Sequence, residues 1–184
     1  MTTAATTGEY GVITEAGAIR FERLLPGPIE RVWAYLVEPE KRARWLASGP
    51  MDLRPGGEME LIWRNGELAG DETPPEKFAP YAGEHRMKGH VLRVEPPRLL
   101  VHSWDEDDGS GSEVVYELAE QGDRVLLTLT NRRLPNRGAM VGVGGGWHTH
   151  LEMLVAELEG RAPPRFWAMV AEVEPEYEAR IPAE

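Results

Sequence analysis

The strand Val125-Leu126-Leu127-Thr128-Leu129-Thr130-Asn131 places apolar residues at every second position, and the segment from Met140 to Gly160 then places them every third or fourth. The first period belongs to a strand and the second to a helix. At ~100° per residue, Met140, Val143, Trp147, Leu151, Leu154 and Leu158 fall in one stripe. His150 sits at one edge of that stripe, and His148 and Val155 at the other. Trp147 directly follows Gly144-Gly145-Gly146. Each glycine costs a helix about 1 kcal/mol relative to alanine. Close approach of a neighbouring element, a kink, or room left for a ligand would each account for them. The pattern predicts one long helix laid across a curved antiparallel sheet, with space between the two.

The rest of the chain supplies the sheet. Tyr10 to Thr14 and Ala18 to Leu25 read as strands joined by a turn at Glu15-Ala16-Gly17, and Pro26-Gly27-Pro28 ends the second. Ile29, Val32, Trp33, Leu36 and Val37 then recur at helical spacing behind Pro28. Pro39 breaks that helix, and a second short helix is expected to carry Ala43, Trp45 and Leu46. From Met51 the period returns to two. Met59, Leu61 and Trp63 share one face, and residues 65–85 form a long Gly-, Pro- and acid-rich excursion of the kind that makes a lid. Gly89 to Glu95, Arg98 to Trp104, Glu113 to Ala119 and Val125 to Asn131 complete about seven strands in an antiparallel meander.

Composition narrows the function classes. A length of 184 residues fits one domain. The formal charge of −11 is opposite to what nucleic acid or an anionic membrane surface requires. No apolar run approaches a membrane span. Residues 1–7 lack the basic and apolar regions of a secretory signal. The chain has no cysteine. Together these predict a cytoplasmic protein with no nucleic-acid partner and no membrane partner. Residues 1–8 are expected to be a disordered lead, 9–160 the folded domain, and 161–184 a tail. In that tail Phe166, Val170, Val173 and Tyr177 form a short helix that either packs down or offers a homodimer surface.

The fold class is therefore α+β. Several short pieces, in order from about residue 18 to 160, resemble the helix-grip fold of the START/Bet v 1-like (SRPBCC) superfamily. They are Phe21-Glu22-Arg23, Val32-Trp33, Arg44-Trp45-Leu46, Pro55-Gly56-Gly57, Val94-Glu95-Pro96-Pro97-Arg98-Leu99-Leu100, Ser103-Trp104, Ser112-Glu113-Val114 and Gly146-Trp147. Within that superfamily the chain is similar to bacterial proteins of the heat-shock-protein-90 ATPase activator type. The resemblance implies a sheet wrapped on a long C-terminal helix. It also implies a role among lipid carriers, receptors, aromatases, cyclases and co-chaperone domains, and fold alone does not choose among these.

Matching parity assigns an inward face: Met59, Leu61 and Trp63; His90, Leu92 and Val94; Leu100, His102 and Trp104; Val114, Tyr116 and Leu118; Val125, Leu127, Leu129 and Asn131. The helix adds Met140, Val143, Trp147 and Leu151. The ligand-contacting set expected from these is Trp45, Met59, Leu61, Trp63, Leu92, His102, Trp104, Tyr116, Leu129, Asn131, Met140, Val143, Trp147 and Leu151. Trp45 and the 65–85 segment would gate the mouth. The same residues could instead simply fill a core. His102, Tyr116 and Asn131 must find partners, in a ligand or in the protein.

His102 and His148 are the candidate proton-transfer residues. For His148 the competing reading is a water-exposed helix edge. His148 and His150 lie ~200° apart on the helix, so they cannot share one ion, and no metal is expected. No cofactor motif stands out, and none is expected: the glycines miss the GxGxxG spacing. Asp105-Glu106-Asp107-Asp108-Gly109 departs from a calcium loop at Gly109. Arg132, Arg133 and Arg137 form either a solvated turn or a cationic rim. Three functions follow: binding of a small hydrophobic or aromatic molecule, a cyclase, dehydratase or hydrolase using the same space, and a chaperone-associated interaction protein.

Overall fold

The computed structural model describes residues 9–183. The expected lead at 1–8 lies outside the described residues. Seven strands form one antiparallel sheet: β1 (Val12–Glu15), β2 (Ala18–Pro26), β3 (Glu58–Arg64), β4 (Glu84–Glu95), β5 (Leu99–Ser103), β6 (Glu113–Gln121) and β7 (Arg124–Arg132). Their order is β1-β2-β7-β6-β5-β4-β3. The sheet is a meander, except that the chain leaves after β2, crosses to the far edge, and returns through β7. In between come α1 (Ile29–Val37) and α2 (Pro39–Arg42). The long helix is α4 (Arg137–Glu159), and α5 (Phe166–Arg180) follows it; a short α3 (Asn65–Ala69) interrupts the β3–β4 connection. This is the expected α+β helix-grip architecture.

Alternation fixes the sheet's inner face. Phe21 stands opposite Leu129, and Leu129 opposite Tyr116, so these side chains share one side. The parity expectation fails in β4. The pairing shifts between Val91 and Arg93, a bulge that gives one strand an extra residue and turns it. Met87, Gly89 and Val91 therefore face inward, whereas His90 and Leu92 face out, Leu92 being 44% exposed.

The turn after α2 is tied by a buried guanidinium. Arg42 donates from Nε to the Ala47 carbonyl (3.0 Å) and from its Nη atoms to the Leu36, Val37 and Gly49 carbonyls. The short helix ends at Arg42, and Trp45 and Leu46 lie in the turn beyond it rather than on a helix. Trp45 is fully buried, with its indole N–H donated to the Tyr35 carbonyl at 2.8 Å. It belongs to the core and not to a mouth.

Helix α4 starts on the Asn136 side chain, which accepts the Ala139 N–H at 2.9 Å, and ends at left-handed Gly160. One side of it packs on the sheet through β2, and the other carries α5. Phe166, Trp167, Val170, Val173 and Tyr177 of α5 are buried in the same core as the sheet. Tyr177 reaches furthest: its hydroxyl accepts the Gly11 N–H at 2.8 Å. No helix among the described residues is long and apolar enough to cross a membrane.

Candidate functional site

Between α4, α5 and the β3–β5 end of the sheet lies a cavity of about 550 Å³. Its sheet wall is Trp63, Met87 and Trp104. Helix α4 contributes Gly142, Val143, Gly146, Trp147 and His150, and α5 contributes Phe166, Trp167, Val170 and Glu174. The β3–β4 connection closes the remaining side with Asn65, Lys77, Phe78 and Tyr81, His85 stands at the start of β4, and the β5–β6 turn sets Asp105 and Asp108 at the rim.

The tryptophans form a continuous aromatic wall. Trp63 meets Trp104 edge-on at 5.8 Å between centroids, Trp104 meets Trp147 at 5.5 Å, and Trp147 meets Tyr116 at 6.2 Å. The connecting segment is fastened to α5. Glu72 accepts the Trp167 and Ala168 N–H groups, each at 2.9 Å, and so caps a helix far away in sequence. Phe78 stacks on Trp167, and Lys77 pairs with Glu174.

Helix α4 sorts its glycines by what they face. A Cβ at Gly144 would stand 2.8 Å from the Tyr177 ring, and one at Gly145 would rest 3.5 Å from Glu174. Gly144 lets α5 approach closely, and Gly145 meets it at ordinary contact distance. Gly142 and Gly146, one turn apart, face nothing within 4 Å, and both line the cavity.

Of the ligand-contacting residues expected from sequence, Trp63, Trp104, Val143 and Trp147 line the cavity. Trp45, Met59, Leu61, Tyr116, Leu129, Met140 and Leu151 are buried in the packed core beside it, and Leu92 stands on the outer face. The polar members are paired inside the protein. Asn131 accepts the Trp147 indole N–H at 3.1 Å and donates to the Glu113 carbonyl at 3.1 Å. His102 donates from Nδ1 to the Ser103 carbonyl at 2.8 Å and accepts the Tyr116 hydroxyl at Nε2 (3.2 Å). Burial pushes the His102 pKa down to about 4 and raises that of Tyr116.

His148 is not at a wet helix edge. It is 2% exposed and its Nδ1 is hydrogen-bonded with the Tyr177 hydroxyl (2.8 Å), away from the cavity. Burial, then the charges of Arg23 and Arg180, push its pKa down to about 4. The cavity is lined instead by His85 and His150, and the sequence places His150 only at the edge of the stripe. Arg132 is paired with Glu113, and Arg137 donates to the carbonyls of Ile181 and Glu178. Neither forms a cationic rim. Phe166 and Val170 were legible as apolar positions of the tail and Trp167 was missed, and nothing in the sequence turns that helix back over the cavity.

The sequence over residues 26–159 matches the family described as Activator of Hsp90 ATPase homolog 1-like protein. A protein of Bordetella parapertussis with a solution NMR structure is 45% identical, over 100% of this chain and 97% of its own, with a TM-score of 0.80. CalU16 from Micromonospora echinospora is 26% identical in its crystal structure, over 95% of this chain and 96% of its own, with a TM-score of 0.67. A conserved protein of unknown function from Enterococcus faecalis, 16% identical over 92% of this chain and 90% of its own, shares the fold with a TM-score of 0.64. A search of curated proteins returned no match. The family match over most of the chain, with the helix-grip topology and the aromatic cavity under its long helix, makes this chain a member of the Activator of Hsp90 ATPase homolog 1-like family.

Proposed function

We propose that the protein binds a small hydrophobic or aromatic molecule in the cavity between α4, α5 and the sheet. The observation that carries this reading is the pair Gly142 and Gly146. Each costs the helix about 1 kcal/mol against alanine, yet no neighbouring atom needs the space that either leaves. Gly142, exposed to solvent, and half-buried Gly146 both border the tryptophan-lined hollow, whose size and mostly apolar walls suit a small organic ligand. Binding is favoured over histidine catalysis because His102 and His148 are each hydrogen-bonded inside the protein and are kept neutral by burial.

The test is to titrate a broad panel of hydrophobes while following tryptophan fluorescence and the thermal midpoint, for the natural chain and for Gly146→Leu. A ligand at a hundred times its Kd adds about 2.7 kcal/mol of stability. The natural chain should gain stability with some members of the panel. Gly146→Leu should stay folded and lose the gain, because its side chain fills the hollow. No response from the natural chain, or an equal response from Gly146→Leu, would overturn the reading.

A further inference from the structure

From the unpaired polar groups and aromatic faces of this same cavity we infer that its ligand is an organic cation, a protonated amine on an apolar or aromatic body. This rests on the proposed binding function and adds the ligand's charge.

A buried polar group on the wall is His150, 6% exposed. Its Nδ1–H is donated to the Trp45 carbonyl at 2.8 Å, which fixes the tautomer and leaves Nε2 as a lone-pair acceptor. No protein donor among the described residues reaches Nε2. The ring is buried, and this open lone pair can take a hydrogen-bond donor from whatever fills the cavity. Burial keeps the ring neutral, so it cannot turn into a donor for an anion.

The rim has the same polarity. Asp105 stands at the cavity edge, its side chain without a hydrogen bond or ion pair among the described residues; burial and the charge of Asp108 raise its pKa, while His85 across the rim lowers it. Asp108 beside it accepts only the Ser110 N–H, at 2.7 Å. The wall's lysine, Lys77, is committed to Glu174. Asn65 adds a buried Oδ1 without a partner. Among the buried donors of the wall, the Trp167 indole N–H has no partner, on a ring flanked by those of Phe78 and Phe166.

The apolar wall agrees with the polar groups. Trp63, Trp104 and Trp147 present electron-rich rings, and indole is the best aromatic partner for a cation. Acceptors, carboxylates and indole faces all favour positive charge, and none of them favours an anion. A neutral alcohol would satisfy His150 but gain nothing from Asp105. The net charge of −11 would add long-range attraction for a cation.

The experiment is calorimetric titration at low salt with three ligands sharing one body: tryptammonium, tryptophol and indolepropionate. The variants are Asp105→Asn, at the rim, and Gly146→Leu, which fills the cavity. Tryptammonium should bind about ten-fold or more tighter than tryptophol, and indolepropionate weakest of the three. Asp105→Asn should reduce that preference severalfold and leave tryptophol unchanged, and Gly146→Leu should remove binding of all three. If tryptophol or indolepropionate binds as well as the cation, or if Asp105→Asn leaves the preference intact, the charge inference falls while the cavity reading stands. If none of the three binds but neutral hydrophobes do, the same holds. If tryptammonium binds Gly146→Leu as it binds the natural chain, its site lies elsewhere and the inference falls.

Discussion

Gly144 faces the ring of Tyr177 so closely that a Cβ there would stand 2.8 Å from it, whereas Gly146, half a turn away on α4, faces open space. The same substitution should therefore have opposite signs at the two positions. Alanine improves helix propensity by about 1 kcal/mol at either site. At Gly144 it must also push back the ring of α5, a rigid body packed on its own neighbours, and overpacking of that kind costs about 1–3 kcal/mol. We expect Gly144→Ala to lower the urea midpoint and Gly146→Ala to raise it. Equal effects at the two sites would mean that α5 does not sit on α4 as described.

Asn131 is the hinge between cavity wall and sheet. It links the Trp147 indole to the β6 backbone by two hydrogen bonds, and it is fully buried. Asn131→Leu keeps the volume and strands both a donor and a carbonyl, each at about 1–3 kcal/mol. Urea unfolding should show a loss of about 2–5 kcal/mol. Tryptophan emission of the folded variant should also shift, because Trp147 loses its fixed orientation. A near-neutral stability change would show that the pair is not formed.

The sheet and the long helix were legible because their hydrophobic periods are clean. Val114, Tyr116 and Leu118 do face in with Leu127 and Leu129, as alternation requires. The exceptions have physical causes. Periodicity cannot see a bulge, so His90 and Leu92 were assigned to the wrong side of β4. Nor can it separate core from cavity: Met59, Leu61 and Leu151 carry the same pattern as Trp63 and Trp147 but are packed solid. The α5 wall was invisible because its position depends on Gly144 and on the Glu72 cap, both distant from Phe166 and Trp167 in sequence. One signal was readable: Gly142 and Gly146 stand one helical turn apart, while Gly144 and Gly145 fall on another face. That spacing separates a hollow from a helix contact.

Glu72 should couple the cavity's closing segment to α5. Its two carboxylate oxygens hold the first N–H groups of that helix, where negative charge also meets the positive end of the helix dipole. Glu72→Ala removes both contributions, at about 1–2 kcal/mol by analogy with a lost cap. Hydrogen exchange should then speed up together in residues 65–83 and in the first turn of α5, with β6 and β7 unaffected. Acceleration confined to α5 would show that the segment is held by Phe78 and Lys77 alone.

Stability should fall on mild acidification, and the buried histidines set the window. Burial pushes the pKa values of His102, His148 and His150 down to about 4, against about 6.5 in the unfolded chain. Between those values the unfolded chain binds protons that the folded chain excludes. Their contribution is therefore complete above about pH 6.5 and is lost as the pH falls toward 4. With all three acting together the slope approaches about 4 kcal/mol per pH unit. His90 runs the other way. Its hydrogen bond to Glu106, and then that carboxylate's charge, raise its pKa, so its contribution is present at low pH and lost as the pH rises through the raised value. Urea midpoints measured from pH 7.5 to 5 should drop steadily, with proton uptake on unfolding approaching three at the acid end. A midpoint flat across that range would mean these rings are not held neutral in the fold.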